Sequence, residues 1–386
     1  MTVQKTILYL APMDSIHSRR WVRYFADHGY AVHVLYFDNT PAADLAAFPD
    51  IVFHQVPLQA DKPGFVNYVR FGLQLLRRSS AVRQIIRSVD PDLIHVHFID
   101  FRAYLASRLA YPLMLTAWGS DVLVLPKRNA VFRYLLTSSL SAASVITCDA
   151  DHMKEAIVRF GVPAEKVNIV YFGTDLTKFN PARRDPAIRA ELGFPGDAKL
   201  VISLRTLRPV YDIPTFIRAI PTVRAQAPEA RFVIVGGGPE RENLERLTRE
   251  LGVTDVVRFT GRLSDEDLQR YTASADLYVS TSLSDGGLAA STAEAMACEI
   301  PVVISDFGNN ADWVERGSGG LLFPLQDDQA LAKQIVHLLK NPGAAARIAR
   351  RGREIIDERN NWHKEMQKID RMYRELMGLP NPNPPV

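Results

Sequence analysis

The stretch that most restricts how this chain can fold is residues 281–305, TSLSDGGLAASTAEAMACEIPVVIS. It follows the apolar run ADLYVST. It therefore reads as the end of a buried strand, a small-residue loop, a helix, a turn and a second buried strand. Strand–helix–strand units of this kind build parallel sheets, and ligands of such sheets lodge outside the carboxyl ends of the strands. The loop 282–290 falls at such an end. Gly286 and Gly287 let backbone approach a ligand more closely than side chains allow. Ser291-Thr292-Ala293-Glu294 opens the helix, whose first N–H groups favour an anion such as a phosphate. Glu294 lies within the first turns, where it can accept two hydrogen bonds from a vicinal diol. The alternative is an amphipathic helix packed under a sheet. The convergence of glycines, helix start and acid favours a place for a sugar, a diphosphate and a ribose.

The same alternation runs through the chain. With 386 residues, it is too long for one core, so two domains are expected. TILYLA (6–11), a helix from about Ser18 to His28, and AVHVLYF (31–37) form a βαβ opening. It lacks G-x-G-x-x-G, which argues against a nicotinamide cofactor. DLIHVHF (92–98) is a strand that puts His95 and His97 on one face. A metal pair there lacks further ligands nearby, and His97 is either a cleft-lining or a structural imidazole. KLVISL (199–204) restarts the pattern, followed by RFVIVGGGPE (231–240) and DVVRFTG (255–261). The fold class is thus α/β, two Rossmann-like doubly wound domains facing across a cleft.

Composition excludes several function classes. The net charge of +3 does not point to nucleic acid. Two cysteines, Cys148 and Cys298, read as buried free thiols and rule out a disulfide framework. No 18-residue apolar run is present, and the first apolar run is too short for a signal peptide, so a cytoplasmic location is expected. Residues 63–89 hold five arginines (Arg70, Arg77, Arg78, Arg83, Arg87) and no acid. They read either as a solvated arginine face or as a peripheral contact with the inner membrane surface.

EAMACEIPVV from Glu294 onward resembles the donor-site signature of the retaining glycosyltransferases of family 4, which have the GT-B fold. That signature carries two acids eight apart; here Gly286 stands eight before Glu294 and Asp285 nine before it, while Glu299 replaces the usual glycine. The resemblance continues in diffuse form. SIHSRRW resembles a variant first loop, TAWGSD resembles T-x-H-G-x-D with Trp118 for the histidine, and YFGTDLTKF resembles the segment that closes the first domain. In the second half, Arg205 matches the arginine of G-R-L…K-G. Tyr211-Asp212 occupies the K-G position, and Arg208 is a substitute for the missing lysine. IVGGGPE places Gly237 in the family's glycine turn, and the segment after VRFTG places Arg262 and Leu263 beside the nucleotide base.

The resemblance implies an enzyme that moves a sugar, with retention, from a nucleotide-diphosphate sugar to an acceptor hydroxyl of a glycan or lipid-linked acceptor, in polysaccharide or glycolipid synthesis. Donor contacts are then Glu294, Asp285, Gly286, Gly287, Leu288, Ser291, Arg205, Arg208, Gly237, Arg262 and Leu263. No cofactor and no metal are expected, because Arg205 and the helix start offset the charge of the leaving diphosphate. On the acceptor side, His17 is either a substrate contact or a residue beside a helix cap. Asp121 is either a hydroxyl partner and general base or a turn cap. The expected layout is an acceptor-side domain over 1–180, a donor domain over 181–360, a helix at 361–378 crossing back, and a flexible tail at 379–386. The rival readings are a GT-B sugar-nucleotide epimerase and a non-catalytic nucleotide-sugar-binding protein.

Overall fold

A computed structural model describes residues 4–56, 73–74, 77–128, 130–284 and 288–380. The chain divides into two units, Met1–Phe172 with Lys364–Val386, and Gly173–His363.

The first unit is built on a seven-stranded parallel sheet. Its strands are β1 (Thr6–Leu10), β2 (Ala31–Tyr36), β3 (Ile51–Gln55), β4 (Leu93–His97), β5 (Leu113–Thr116), β6 (Val145–Cys148) and β7 (Val167–Ile169), in the order β3-β2-β1-β4-β5-β6-β7. The order reverses between β1 and β4, which pair from Ile7↔Leu93 to Leu10↔Val96. Strands covered on both faces must be apolar along their length, and β1 and β4 are buried almost throughout. The first helix, Ile16–Asp27, starts two residues before the expected Ser18 and buries Trp21, Val22 and Phe25 against the sheet. Of the arginine-rich stretch 63–89, residues 63–72, 75 and 76 lie outside the described residues. The part that is described as a helix, Ser79–Val89, buries Val82 and Ile86 and leaves Arg83 and Arg87 exposed.

A buried polar chain crosses this core. The Tyr373 hydroxyl, on the helix Trp362–Leu376, shares hydrogen bonds with the hydroxyl of Tyr9 and Nδ1 of His95. Nε2 of His95 meets the Thr116 hydroxyl at 2.7 Å, and that hydroxyl meets Thr147 at 2.7 Å. Burial drives the His95 pKa well below its usual range, so the ring is neutral and one nitrogen donates while the other accepts. The satisfied network fixes the C-terminal helix against β1 and β4.

The second unit carries a six-stranded parallel sheet of β8 (Lys199–Leu204), β9 (Ala230–Val235), β10 (Val257–Gly261), β11 (Leu277–Ser280), β12 (Val302–Ser305) and β13 (Leu321–Phe323). The order is β10-β9-β8-β11-β12-β13, with the reversal between β8 and β11. Phe216, Ile217 and Ile220 of the helix Ile213–Gln226 pack on Phe232 and Ile234 of β9. Both cysteines are buried free thiols, and burial pushes Cys148 up to about 11 and Cys298 up to about 12. Among the described residues, no helix is long and apolar enough to cross a membrane.

Candidate active site

The carboxyl edge of the second sheet gathers three loops at the reversal of strand order, the position where doubly wound sheets bind their ligands. Arg205 directly follows β8. Its guanidinium carbon lies 4.1 Å from the ring centre of Tyr211, and its Nη2 donates to the Ser282 hydroxyl at 3.5 Å. A flat cation over an aromatic face is held in one orientation. Tyr211 is tied in turn, since the Thr281 hydroxyl donates to its carbonyl at 2.8 Å. The loop after β11 is joined to the same segment by Leu283 N–H donating to Val210 carbonyl at 2.9 Å. Tyr211 stands where the resemblance expects a lysine. Its role as the platform for Arg205 is not among the sequence expectations, although an aromatic six residues after an arginine at a strand's end is the pattern that carries it. Arg208 is exposed just ahead of a single 3₁₀ turn, Pro209–Tyr211.

The glycine run after β9 serves loop packing. A Cβ on Gly236 would collide with the Arg205 carbonyl oxygen, and one on Gly238 with that of Leu207. Leu207 N–H donates to Gly237 carbonyl at 3.0 Å, and Glu240 N–H to Leu207 carbonyl at 3.1 Å. Gly236 and Gly238 are required by the neighbouring loop. At Gly237 an added Cβ meets only the Arg262 side chain, at 3.6 Å. Arg262 is exposed and Leu263 half-buried beside this turn.

The helix Ala290–Ala297 follows β11. Its cap residue, Ala289, brings no side-chain hydrogen bond to the first turn. Ser291 and Thr292 are held from below by the buried Tyr278 hydroxyl, at 2.8 and 3.3 Å. That hydroxyl is another feature absent from the sequence expectations, although a buried tyrosine on a strand requires a partner for its O–H. Glu294 is half-buried one turn into the helix. Leu288 is half-buried at the loop's end, while Asp285, Gly286 and Gly287 lie outside the described residues.

The carboxyl edge of the first sheet has a different character. His17, half-buried at the start of the first helix, lies over Phe172 with ring centres 4.2 Å apart and meets the edge of Trp118 at 6.2 Å. Burial and the nearby Arg20 charge lower its pKa, so the ring is neutral near pH 7. His97 lies 5.9 Å from Trp118 and is lowered to about 3 by burial. Its Nδ1 shares a hydrogen bond with Ser18 at 3.1 Å, and among the described residues its Nε2 has no partner. His97 is thus a structural imidazole and not a cleft-lining one. Asp121 requires a correction of the same kind. It is 1 % exposed, and its oxygens accept backbone N–H groups of Ile99 at 2.9 Å, Trp118 at 3.1 Å and Val122 at 3.1 Å. Burial lifts this carboxyl to about 6 against the pull of those donors. The group anchors the loop that presents Trp118; it does not face a substrate hydroxyl.

Both units resemble known proteins. The model described as glycosyl transferases group 1 matches residues 184–355, and that described as glycosyl transferase 4-like matches residues 6–150. The chain belongs to this glycosyltransferase family, and its two sheets have the GT-B fold. It is 29% identical over 248 residues to the GDP-mannose-dependent alpha-(1-6)-phosphatidylinositol monomannoside mannosyltransferase of Mycobacterium tuberculosis, covering 62% of this chain and 64% of that protein. The match thus spans less than two thirds of that relative's length. It is 23% identical to the N-acetyl-alpha-D-glucosaminyl L-malate synthase of Bacillus anthracis over 91% of each. Among solved structures, Anabaena Alr3699/HepE in complex with UDP aligns with a TM-score of 0.75 at 21% identity, over 96% of this chain and all of that one.

Proposed function

We propose that the protein is a retaining glycosyltransferase that moves a sugar from a nucleotide-diphosphate sugar to an acceptor hydroxyl, in the synthesis of a polysaccharide or glycolipid. The observation that carries the reading is Arg205, stacked on Tyr211 and bonded to Ser282 at the strand-order reversal of the second sheet. Negative charge develops on the departing diphosphate, and a cation already fixed in place stabilises it without reorganising during the step. Arg208 and the first N–H groups of the helix Ala290–Ala297 add to the same field. Glu294 is assigned to the ribose hydroxyls, Arg262 and Leu263 to the base, and Asp285, Gly286, Gly287 and Leu288 to the sugar. With positive charge supplied by side chains, the reaction proceeds without a divalent metal. Relatives support the donor class through their names: one is GDP-mannose-dependent, and one neighbour in fold binds UDP. The first unit is assigned the acceptor, with His17 and Trp118 as its contacts.

The test is a binding and turnover screen of UDP-, GDP- and ADP-sugars with a panel of glycan and lipid acceptors. The expected result is transfer with the anomeric configuration kept. Glu294→Ala is expected to weaken nucleotide binding by about tenfold to a hundredfold, the loss of hydrogen bonds to a charged acceptor. Epimerised free sugar formed without acceptor would instead favour the epimerase. An unchanged dissociation constant in Glu294→Ala would remove the nucleotide from this edge.

A further inference from the structure

The helix Ala290–Ala297 begins without a side-chain cap, and its first bond runs from Ala293 N–H to Ala289 carbonyl at 3.0 Å. Among the described residues, the N–H groups of Ala290, Ser291 and Thr292 meet no acceptor. Serine and threonine at a helix start often turn their hydroxyls back onto such backbone groups. Here both hydroxyls reach down into the sheet instead, to the phenol of Tyr278. Tyr278 is fully buried on β11, paired with Val302 of β12 on one side and with Ile202 of β8 on the other. Burial raises its pKa against the pull of the Arg205 charge, so the phenol keeps its proton. The protons can be followed through the three hydroxyls. Thr292 Oγ1 donates to the phenol oxygen at 3.3 Å. A phenol has one proton of its own to give. Ser280, the next residue on that face of β11, acts on the phenol but is not in hydrogen-bond geometry with it. That leaves the Ser291 hydroxyl, 2.8 Å away, as the acceptor. Ser291 Oγ therefore receives the phenol's proton, and its own proton is left to donate elsewhere. Ser291 is half-buried, and among the described residues its hydroxyl makes no other hydrogen bond.

We propose that Tyr278 is a positioning residue of the donor site: together with Thr292 it directs the Ser291 hydroxyl proton, beside the N–H groups of the same turn, at an oxygen of the departing diphosphate. The inference rests on the donor reading above and adds to it the residues that aim one hydroxyl. A donor fixed before the ligand arrives needs no reorientation when charge develops on the leaving group. An O–H that meets a charged oxygen also makes a stronger bond than one that meets a neutral acceptor. Tyr278 touches no ligand itself; it acts through Ser291.

The experiment is calorimetric titration of the full chain with UDP, GDP and ADP, each beside its nucleoside. Ser291→Ala is expected to weaken the diphosphate that binds by about tenfold, the loss of one hydrogen bond to a charged group, and to leave the nucleoside as it is. Tyr278→Phe removes one oxygen and is expected to cost the diphosphate about fivefold, because the serine keeps its proton and loses its aim. Thr292→Val reads the same chain of hydroxyls from its other end and is expected to act in the same direction. Tyr278→Phe combined with Ser291→Ala is expected to lose no more than Ser291→Ala alone, since both act through one proton. Losses that add, equal losses for diphosphate and nucleoside, or an unchanged Tyr278→Phe overturn the proposal and leave the donor site in place. A wild-type chain that binds none of the three diphosphates overturns the donor reading, and this proposal with it.

Discussion

The two sheets share a strand order and a reversal point, yet their carboxyl edges are built from opposite materials. At the second sheet, backbone meets backbone. Glycines 236 and 238 let two loops interlock, and the cation they frame is fixed by an aromatic ring and a hydroxyl. At the first sheet, side chains meet side chains. His17, Trp118 and Phe172 form a ring cluster in which the histidine is held uncharged, and the Asp121 carboxyl is consumed by backbone donors. One topology therefore supports an edge that holds fixed positive charge and another that presents neutral rings. A diphosphate needs the first kind; an uncharged sugar or lipid-borne glycan is compatible with the second. Family membership fixes the frame, and the loops set the chemistry.

The comparison breaks most readily at Gly238. A methyl group there would overlap the Leu207 carbonyl, a backbone atom with no rotamer to yield. Gly238→Ala is expected to destabilise the second unit by upward of about 3 kcal/mol, the high end for overpacking, and to abolish nucleotide binding. Denaturant melts followed by a nucleotide titration check both. A stable variant with intact binding would show that the loops are not interlocked in solution. Next in size is Arg205→Ala, expected to lower turnover about a hundredfold with a smaller change in donor affinity, as for a group that acts mainly on the transition state. Steady-state kcat and KM separate the two; a change confined to KM would make Arg205 a binding residue only.

The corresponding break in the first unit is a pH effect at Asp121. Its folded pKa is raised from 3.8 to about 6 by burial. The folded state therefore binds the proton more tightly than the unfolded state does, and this group's contribution to stability falls as pH rises from about 4 to 6. A carboxyl raised this far is worth about 3 kcal/mol as an upper bound, and about 2 kcal/mol is the expected size once relaxation is allowed. Chemical unfolding at pH 4 and at pH 6.5 is expected to show this decline in the wild type and not in Asp121→Asn. Identical pH profiles would place the carboxylate in a less dry setting than its burial indicates.

Much of this is legible in the sequence because it rests on local pattern. The apolar runs mark β1, β4, β8 and β11, and the resemblance of the second half to the family's motifs singles out Arg205, Glu294 and the glycine turn. β3 escapes such a reading, since IVFHQ alternates weakly and follows the alanine-rich stretch 42–47. The roles that sequence could not assign depend on contacts between distant segments. Asp121 reads equally as a base or a cap until Ile99 is seen donating to it. Tyr211 looks like a lost lysine until Arg205 is found stacked over it. The Tyr373–His95 link spans 278 residues, and no local pattern announces it.

The smallest expected effect separates the fold of the second unit from its chemistry. Glu299, in the position where the family signature has glycine, closes the helix Ala290–Ala297 with φ of 54°. A side chain in this left-handed region costs about 1 kcal/mol relative to glycine. The compensation is slight, because the Arg353–Glu299 pair is long at 3.7 Å and its Glu299 end is open to solvent, and such pairs contribute between nothing and about 1 kcal/mol. Glu299→Gly is therefore expected to stabilise the unit by up to about 1 kcal/mol, a rise of about 2 °C in Tm. It lies at the opposite end of the helix from Ser291, away from the strands' carboxyl ends, so kcat and KM are expected to stay as they are. A thermal melt beside a kinetic run decides it. A gain in stability with altered kinetics would mean that the helix's C-terminal turn sets the position of Glu294, and that the edge's chemistry reaches further into the fold than its loops.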